Sequence, residues 1–296
     1  MLHDRGTLRR MLSEKDIIYT VGVGDAMSAK LISSVDGIDA ILSSGFAVSA
    51  QAMGLPDAEL YTRSDNVYAV SNMCYVSSKP VIADIDTGYG NAVTVIRTVR
   101  EFERAGASGV IMEDQYSPKR CPICVTDLNA MIPAEEAAGK IRAAAENRLY
   151  PETVIIARTD AVDREEQYSR AKMYLEAGAD LVQGISKSFH NSADEIRQFV
   201  EAMEGRVSLI VCGPLDTLSR EDIAYIRPKI CQFALLSINY IYPALKQAVS
   251  YVAEHKTQVG LSLPKADHEE LVSFLGMPEA KMLEEKYIPK PYADEF

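Results

Sequence analysis

The chain reads as a (β/α)8 barrel of the TIM type. Three observations predict it: eight short runs rich in Ile, Val and Leu, longer segments of helical period between them, and no Pro/Gly/Ser-rich linker. Strands that are apolar throughout, rather than at alternate positions, belong to a parallel sheet covered on both sides. The runs are Ile17 to Val23, Ala40 to Ser43, Pro80 to Ile85, Gly109 to Met112, Thr153 to Ala157, Leu181 to Ile185, Ser208 to Val211 and Phe233 to Ser237. Eight such units argue for a closed barrel over an open doubly wound sheet.

The intervening helices include Ala92 to Arg104, Glu165 to Glu176, Ser192 to Met203 and Tyr240 to Glu254. Ser192 with Glu195 three places on makes a capping box. Ala105-Gly106-Ala107 and Ala177-Gly178-Ala179 end two helices alike, with a glycine suited to the left-handed position before the next strand. This faint repeat of the βα unit accompanies a division into a barrel catalytic domain, residues 1–258, and a C-terminal helical tail, residues 259–296. Helices near His268 to Leu275 and Glu279 to Tyr287 are predicted in the tail, packed on the barrel or on a neighbouring subunit.

Composition excludes several classes of function. A net charge of −11, from 31 basic and 42 acidic residues, repels polyanions, so nucleic acid is not expected as a partner. No apolar run approaches the ~20 residues that cross a bilayer, and the opening Met1-Leu-His-Asp-Arg-Gly lacks the apolar core of a signal peptide, so no membrane partner and a cytoplasmic location are expected. Five scattered cysteines, Cys74, Cys121, Cys124, Cys212 and Cys231, do not make a disulfide framework. Cys121-Pro-Ile-Cys124 has no second pair to make a zinc site, although one of its thiols could be catalytic.

In barrels, chemistry sits where strands end. The third run closes with Asp84-Ile85-Asp86-Thr87-Gly88-Tyr89-Gly90-Asn91, which puts two carboxylates at i and i+2 on one face of the strand end. The fourth closes with Met112-Glu113-Asp114-Gln115, and the second loop contains Asp57. Like charges at ~4 Å and an effective dielectric near 20 repel by roughly 4 kcal/mol, so such a cluster must bind protons or a cation. Hard oxygen ligands favour Mg2+, with Mn2+ as its substitute, completed by water and substrate oxygens. The competing reading is that Asp86 and Asp114 cap the following helices. The turn glycines would let backbone approach a ligand, making Gly88 and Tyr89 substrate-binding candidates, but a plain tight turn would use them too.

A loop of about twenty residues follows the fourth run and carries Pro118-Lys119-Arg120-Cys121, a length typical of lids and binding segments. Cys121 beside two cations would have a lowered pKa and could exchange a proton near neutrality; a solvated basic turn with an incidental cysteine is the alternative. Arg158 directly follows Val-Ile-Ile-Ala and suits a bidentate grip on a carboxylate. A structural ion pair with Glu113 or Asp160 would explain it as well.

Taken in order, Ser44-Gly45-Phe46, Gly54-Leu55-Pro56-Asp57, Asp84-Ile85-Asp86-Thr87-Gly88-Tyr89-Gly90-Asn91, Glu113-Asp114-Gln115, Pro118-Lys119-Arg120-Cys121 and Ala157-Arg158-Thr159-Asp160-Ala161 resemble the isocitrate lyase and phosphoenolpyruvate mutase superfamily. The likeness is strong from about Gly22 to Ala179. It implies Mg2+ held through Asp84 and Asp86, with Asp57 and Glu113 nearby, largely through water. It implies that Ser44, Gly45 and Phe46 bind the substrate carboxylate with Arg158, and that a gating loop carries Lys119 and Cys121. It further implies a last helix exchanged between subunits of a tetramer built from dimers.

What the resemblance implies chemically is a Mg2+-dependent lyase that cleaves a C–C bond beside the carboxylate of a small 2-hydroxy or 2-oxo acid through an enolate, which the cysteine protonates. The chain also departs from those lyases. Pro122-Ile123 stand where Gly-His usually continues the cysteine motif, Ile185 replaces a glutamate, and Cys212 replaces an asparagine. A smaller or less charged distal substituent is therefore expected. Ile185-Ser186-Lys187 and Glu285-Lys286-Tyr287-Ile288-Pro289-Lys290 resemble instead the phosphonomutases and phosphonopyruvate hydrolases. P–C chemistry is the first alternative function, and a catalytically inactive barrel acting as a binding protein is the second.

Overall fold

A computed structural model describes residues 4–122 and 130–288; Cys124 lies outside them. Eight strands, β1 (Ile18–Val23), β2 (Ala40–Ser43), β3 (Val81–Asp84), β4 (Gly109–Glu113), β5 (Val154–Thr159), β6 (Leu181–Gly184), β7 (Ser208–Val211) and β8 (Ile230–Phe233), form one parallel sheet in the order β6-β5-β4-β3-β2-β1-β8-β7. Its two ends meet through a single parallel bridge, Val182 to Val207, which makes the sheet a nearly closed barrel. The helices are α1 (Thr7–Glu14), α2 (Ala26–Ser33), α3 (Gly45–Val48), α4 (Arg63–Val76), α5 (Ala92–Ala105), α6 (Ala134–Asn147), α7 (Arg164–Glu176), α8 (Ala193–Ala202), α9 (Arg220–Ile226), α10 (Leu236–His255), α11 (His268–Leu275) and α12 (Met277–Tyr287).

Alternation along each strand sorts the apolar side chains into two cores. Ile18, Ala40, Leu42, Ile82, Ile111, Val154, Ile156, Leu181 and Ile230 fill the barrel, and Leu8 of α1 joins this inner cluster. Their neighbours in sequence, among them Val23, Ile41, Val81, Ala83, Val110 and Ile155, pack outward with Val99, Phe102, Ile141, Tyr174 and Phe199 of the helices. Burying each of the larger aliphatic side chains contributes roughly 1.5–3 kcal/mol.

Seven of the eight predicted runs fall on strands. The last is displaced: β8 is Ile230–Phe233, registered Ile18↔Ile230 and Val21↔Phe233, and α10 begins at Leu236, inside the span predicted as strand. The apolar sequence runs unbroken across this junction, so periodicity could not mark the boundary. Gly106 and Gly178 adopt φ of 106° and 105°, as their helix-terminal role requires. Half of the predicted capping box forms: Ser192 accepts from the Glu195 N–H at 3.2 Å, but the Glu195 carboxylate turns to His190 Nδ1 at 3.2 Å. Complete boxes occur at Thr62 with Asp65 and at Ser219 with Asp222.

Two compact units divide the chain, Met1–Ile241 and Tyr242–Phe296. In the second, α11 and α12 contain no buried residue, and Tyr242, Leu245, Val249, Leu275, Met277, Met282, Leu283 and Tyr287 are exposed. No helix among the described residues is long and apolar enough to cross a membrane.

Asp114 ties the outer layer to the barrel mouth. Its carboxylate accepts from the Tyr174 hydroxyl at 2.7 Å, Arg170 Nη1 at 3.2 Å and the backbone N–H of Asp160 at 3.0 Å. It is thus a strut between β4, α7 and the loop after β5, and does not cap a helix. Asp114→Ala takes the acceptor from the Tyr174 hydroxyl and the Asp160 N–H and leaves Arg170 with Glu166 as its one carboxylate partner among the described residues, and is expected to lower stability by roughly 3 kcal/mol. A lowered urea midpoint checks this; an unchanged one would refute the strut.

Candidate active site at the C-terminal rim of the barrel

The same alternation that fills the barrel delivers the functional groups. Two residues beyond Ile82, Ile111 and Ile156 come Asp84, Glu113 and Arg158, on the inward face at the C-terminal ends of β3, β4 and β5. Glu113 and Arg158 are direct partners in the β4–β5 ladder, and Arg158 Nη1 lies 3.0 Å from Glu113 Oε2. The remaining guanidinium edge grips Asp160 at 2.7 and 3.1 Å. The ion pairs considered for Arg158 are therefore both made, and Arg158 still lines the central cavity.

Asp86 does not share the strand face with Asp84, as i and i+2 spacing predicted. It stands past the end of β3 with φ 50°, because the chain turns and its N–H folds back onto Asp84 Oδ1 at 3.0 Å. The turn still brings it to the same neighbourhood. Its carboxylate accepts from the Tyr89 hydroxyl at 2.7 Å and contacts Lys119 Nζ at 2.9 Å. Asn91, and not Asp86, caps α5.

Lys119 is the centre of the cluster. It is 2% exposed, and its ammonium lies 2.7 Å from Asp57, 2.9 Å from Asp86 and 3.9 Å from Glu113. Burial pulls its pKa down, but Asp86, Glu113, Asp57 and Asp84 outweigh this and hold it well above the ordinary lysine value. Arg158 is likewise held up by Asp160 and Glu113 against burial. Burial pushes Asp84 up to about 6 despite Lys119, and drives Glu113 well above the carboxylate range against Arg158 and Lys119.

Ser44, Phe46, Asp57, Asp84, Cys121, Pro122 and Arg158 line a cavity of about 40 Å3. Its other wall is Ile185, Ile210, Cys212, Ala234 and Leu235. The Gly45 N–H is directed at Asp84 Oδ2, 3.2 Å away, and a Cβ there would stand 3.0 Å from that oxygen and 3.2 Å from the Tyr61 hydroxyl. Gly45 is thus the close approach that seats Asp84. Cys121 is buried, and its N–H donates to the Asp57 carbonyl at 3.0 Å. Burial pushes the Cys212 thiol up to about 11, and it donates to Ser186 at 3.9 Å.

Gly88 and Tyr89 do not line this cavity. The Gly88 N–H bonds to Ile85 O, its carbonyl accepts from Thr98, and a Cβ would strike Met112 and Val95, so it serves a tight turn packed outward. Tyr89 acts behind the site, through Asp86 and Asn66. Sequence reasoning passed over Asn66, whose side chain donates to the Asp84 carbonyl at 2.8 Å and to Tyr89 at 2.9 Å, and Tyr61 beside Gly45. Both come from the segment before and within α4, far in sequence from any strand end. A larger cleft, about 700 Å3, lies at the opposite end among Leu12, Leu181, Arg206 and Lys229, remote from the acids.

The donor set suits a hard divalent cation. Asp57 Oδ1, Asp86 Oδ1 and both Glu113 oxygens are buried with ion-pair contacts but no aligned hydrogen bond, so their lone pairs are open to a cation or its water. Among the described residues no three acid, His or Cys side chains are gathered as a direct ligand shell. A partly hydrated Mg2+, bridged to the carboxylates by water, fits such spacing.

A parallel barrel with acids, a lysine and an arginine gathered at its C-terminal mouth has the layout of a barrel enzyme's active site. Comparison with known proteins narrows the class. The phosphoenolpyruvate phosphomutase family matches residues 8–252, and the chain belongs to this family. The 2,3-dimethylmalate lyase of Eubacterium barkeri is 32% identical over 95% of this chain and 96% of its own. The crystal structure of phosphoenolpyruvate phosphomutase from Streptomyces platensis subsp. rosaceus superposes with a TM-score of 0.90 at 26% identity, covering 97% of this chain and 100% of that one. A phosphonopyruvate hydrolase in complex with oxalate and Mg2+ gives 0.85 at 30% identity, again over 97% and 100%.

Lys119→Met strips the counter-charge from three buried carboxylates. In metal-free buffer the variant is expected to unfold with roughly 3–5 kcal/mol less stability, and Mg2+ is expected to restore more of it than in the native protein. Equal denaturant midpoints for the two would contradict this.

Proposed function

We propose that the protein is a Mg2+-dependent C–C lyase acting on a small 2-hydroxy or 2-oxo dicarboxylate whose branches are short and alkyl. The observation that carries the reading is the two-sided cavity, with acids and Arg158 on one wall and Ile185, Ile210, Ala234 and Leu235 on the other. Mg2+, held through Asp84 and Asp86 with Asp57 and Glu113 behind water, would supply positive charge to the developing oxyanion. Mn2+ would serve the same donors.

Arg158, with Ser44 and Phe46 lining the same cavity, holds the substrate carboxylate, and Gly45 keeps Asp84 in place. For a 2-hydroxy acid, a cluster carboxylate takes the hydroxyl proton and the oxygen lone pair forms the C2 carbonyl. The C2–C3 bond breaks, and its electron pair stays on C3 as the enolate of the departing carboxylate. The Cys121 thiol then gives its proton to C3, and Lys119 on the same segment opposes the charge left on sulfur. The products are a 2-oxo acid and a shorter carboxylate.

The test is incubation of the metal-loaded enzyme with malates, alkyl-substituted malates, oxaloacetate and a tricarboxylic 2-hydroxy acid, following 2-oxo acid release. Cleavage of alkyl-branched substrates in preference to the tricarboxylate is expected; the reverse preference would sink the apolar-wall argument. Cys121→Ser is expected to lose turnover by at least about a hundredfold while Mg2+ with oxalate still raises its melting temperature. Full activity in that variant removes the thiol from the mechanism.

The family match favours a second reading: a phosphonomutase, in which no carbon is protonated and Cys121 is dispensable, or a phosphonopyruvate hydrolase, in which the C–P bond breaks and C3 still takes a proton to give pyruvate. Phosphorus NMR with phosphonopyruvate separates the two. The buried thiols Cys74, Cys212 and Cys231, none of them in a disulfide, support a reducing, cytoplasmic setting. The exposed apolar residues of α10 to α12 support a homotetramer with helices exchanged between subunits. A monomer in sedimentation at micromolar concentration would exclude that assembly.

A further inference from the structure

Glu59 lies between β2 and α4 and has no part in the site as described so far. Its backbone is left-handed, φ 51°, a conformation in which a residue with a Cβ is strained. Its carboxylate collects donors from two other stretches of chain. Oε1 accepts from the Thr87 hydroxyl at 2.6 Å, and Oε2 accepts from the Ser117 hydroxyl at 2.6 Å and the Lys119 backbone N–H at 2.9 Å. Thr87 follows Asp86, while Ser117 and Lys119 belong to the segment that carries the lysine and the cysteine.

The far side of that segment is gripped as well. Gln115 Oε1 accepts from the Arg120 N–H at 3.0 Å, and its Nε2 donates to the Arg120 carbonyl at 3.1 Å and to Asp160, the partner of Arg158. Cys121 is tied down by its N–H to Asp57. Glu59 accepts from all three groups, and the Lys119 N–H among them can only donate, so the position needs an acceptor at that point. An amide keeps one accepting oxygen and offers an N–H that a hydroxyl must turn round to accept, so it weakens the grip without abolishing it. Glycine would relax the backbone but leave all three donors without their acceptor.

We propose that Glu59 is the positioning residue of this site: it clamps residues 117–121 so that Lys119 enters the acid cluster and Cys121 faces the cavity. The inference rests on the reading of Cys121 as proton donor for its functional meaning, but its test does not depend on turnover. A clamp of this kind acts through Lys119 and Cys121 and never touches substrate.

The experiment measures iodoacetamide modification of each cysteine in the full-length protein by mass spectrometry, for the native enzyme, Glu59→Gly, Glu59→Gln and Ser117→Ala, with and without Mg2+ and oxalate. Losing hydrogen bonds to a charged acceptor is expected to speed modification of Cys121 about tenfold or more in Glu59→Gly and about threefold in Glu59→Gln and Ser117→Ala. Cys74, Cys212 and Cys231 should stay at their native rates. A native rate at Cys121 in Glu59→Gly overturns the proposal. Should Cys74, Cys212 and Cys231 accelerate there along with Cys121 through unfolding, Ser117→Ala decides: acceleration of Cys121 without those three supports the clamp, and no acceleration overturns it. Retained turnover in Cys121→Ser would instead defeat the lyase reading and leave the alkylation result standing.

Discussion

One buried ammonium holds the mouth of this barrel together. Lys119 Nζ sits among Asp57, Asp86 and Glu113, with Asp84 close enough to raise its pKa. Four carboxylates in so little space cannot all stay ionised without a cation, and desolvation makes the demand stronger. The positive charge is delivered by a loop, so the electrostatic balance of the site and the seating of that loop are one problem. A divalent ion and a lysine are two solutions to the same excess of negative charge. A site built this way suits chemistry in which charge builds up on a substrate oxygen.

The rest of the mouth follows from strand geometry. Residues that point inward at the ends of β3, β4 and β5 are acidic, acidic and cationic, and the ladder register sets Glu113 against Arg158. Behind them a second ring fixes their directions: Asn66 and Tyr89 for the two aspartates, Asp160 and through it Asp114, Arg170 and Tyr174 for the arginine. These partners sit on α4 and α7 and on loops, so the outer helices take part in aiming the inner groups.

How much of this could be read from the sequence depended on range. Strands β1 to β7 were legible because burial on both faces leaves an unbroken apolar run, and Asp84, Glu113 and Arg158 were legible because a charge at the end of such a run has few places to go. The start of α10 was not, since Leu235 and Leu236 continue the apolar run of β8 without punctuation. Gly88 misled for a related reason: a glycine needed for outward packing on Met112 and Val95 looks the same in sequence as one that makes room for a ligand. Lys119 was singled out as a neighbour of the thiol, whereas its dominant contacts are with Asp57 and Asp86, 62 and 33 residues earlier. Glu59 carried no signal, because a single acid in a polar loop becomes informative only when its three donors are seen in space.

The barrel is also unevenly stitched. From β6 through β5, β4, β3, β2, β1 and β8 to β7 the ladders are continuous, while β6 and β7 touch through one bridge. That seam runs up to Ile185 and Cys212, the apolar side of the cavity, and the acids lie on the continuously laddered side. Side chains bordering the seam can therefore change size, and the wall there can shift outward, without loosening the half that carries charge. A barrel divided in this manner can alter the shape of its apolar wall while the charged groups on the other side keep their places.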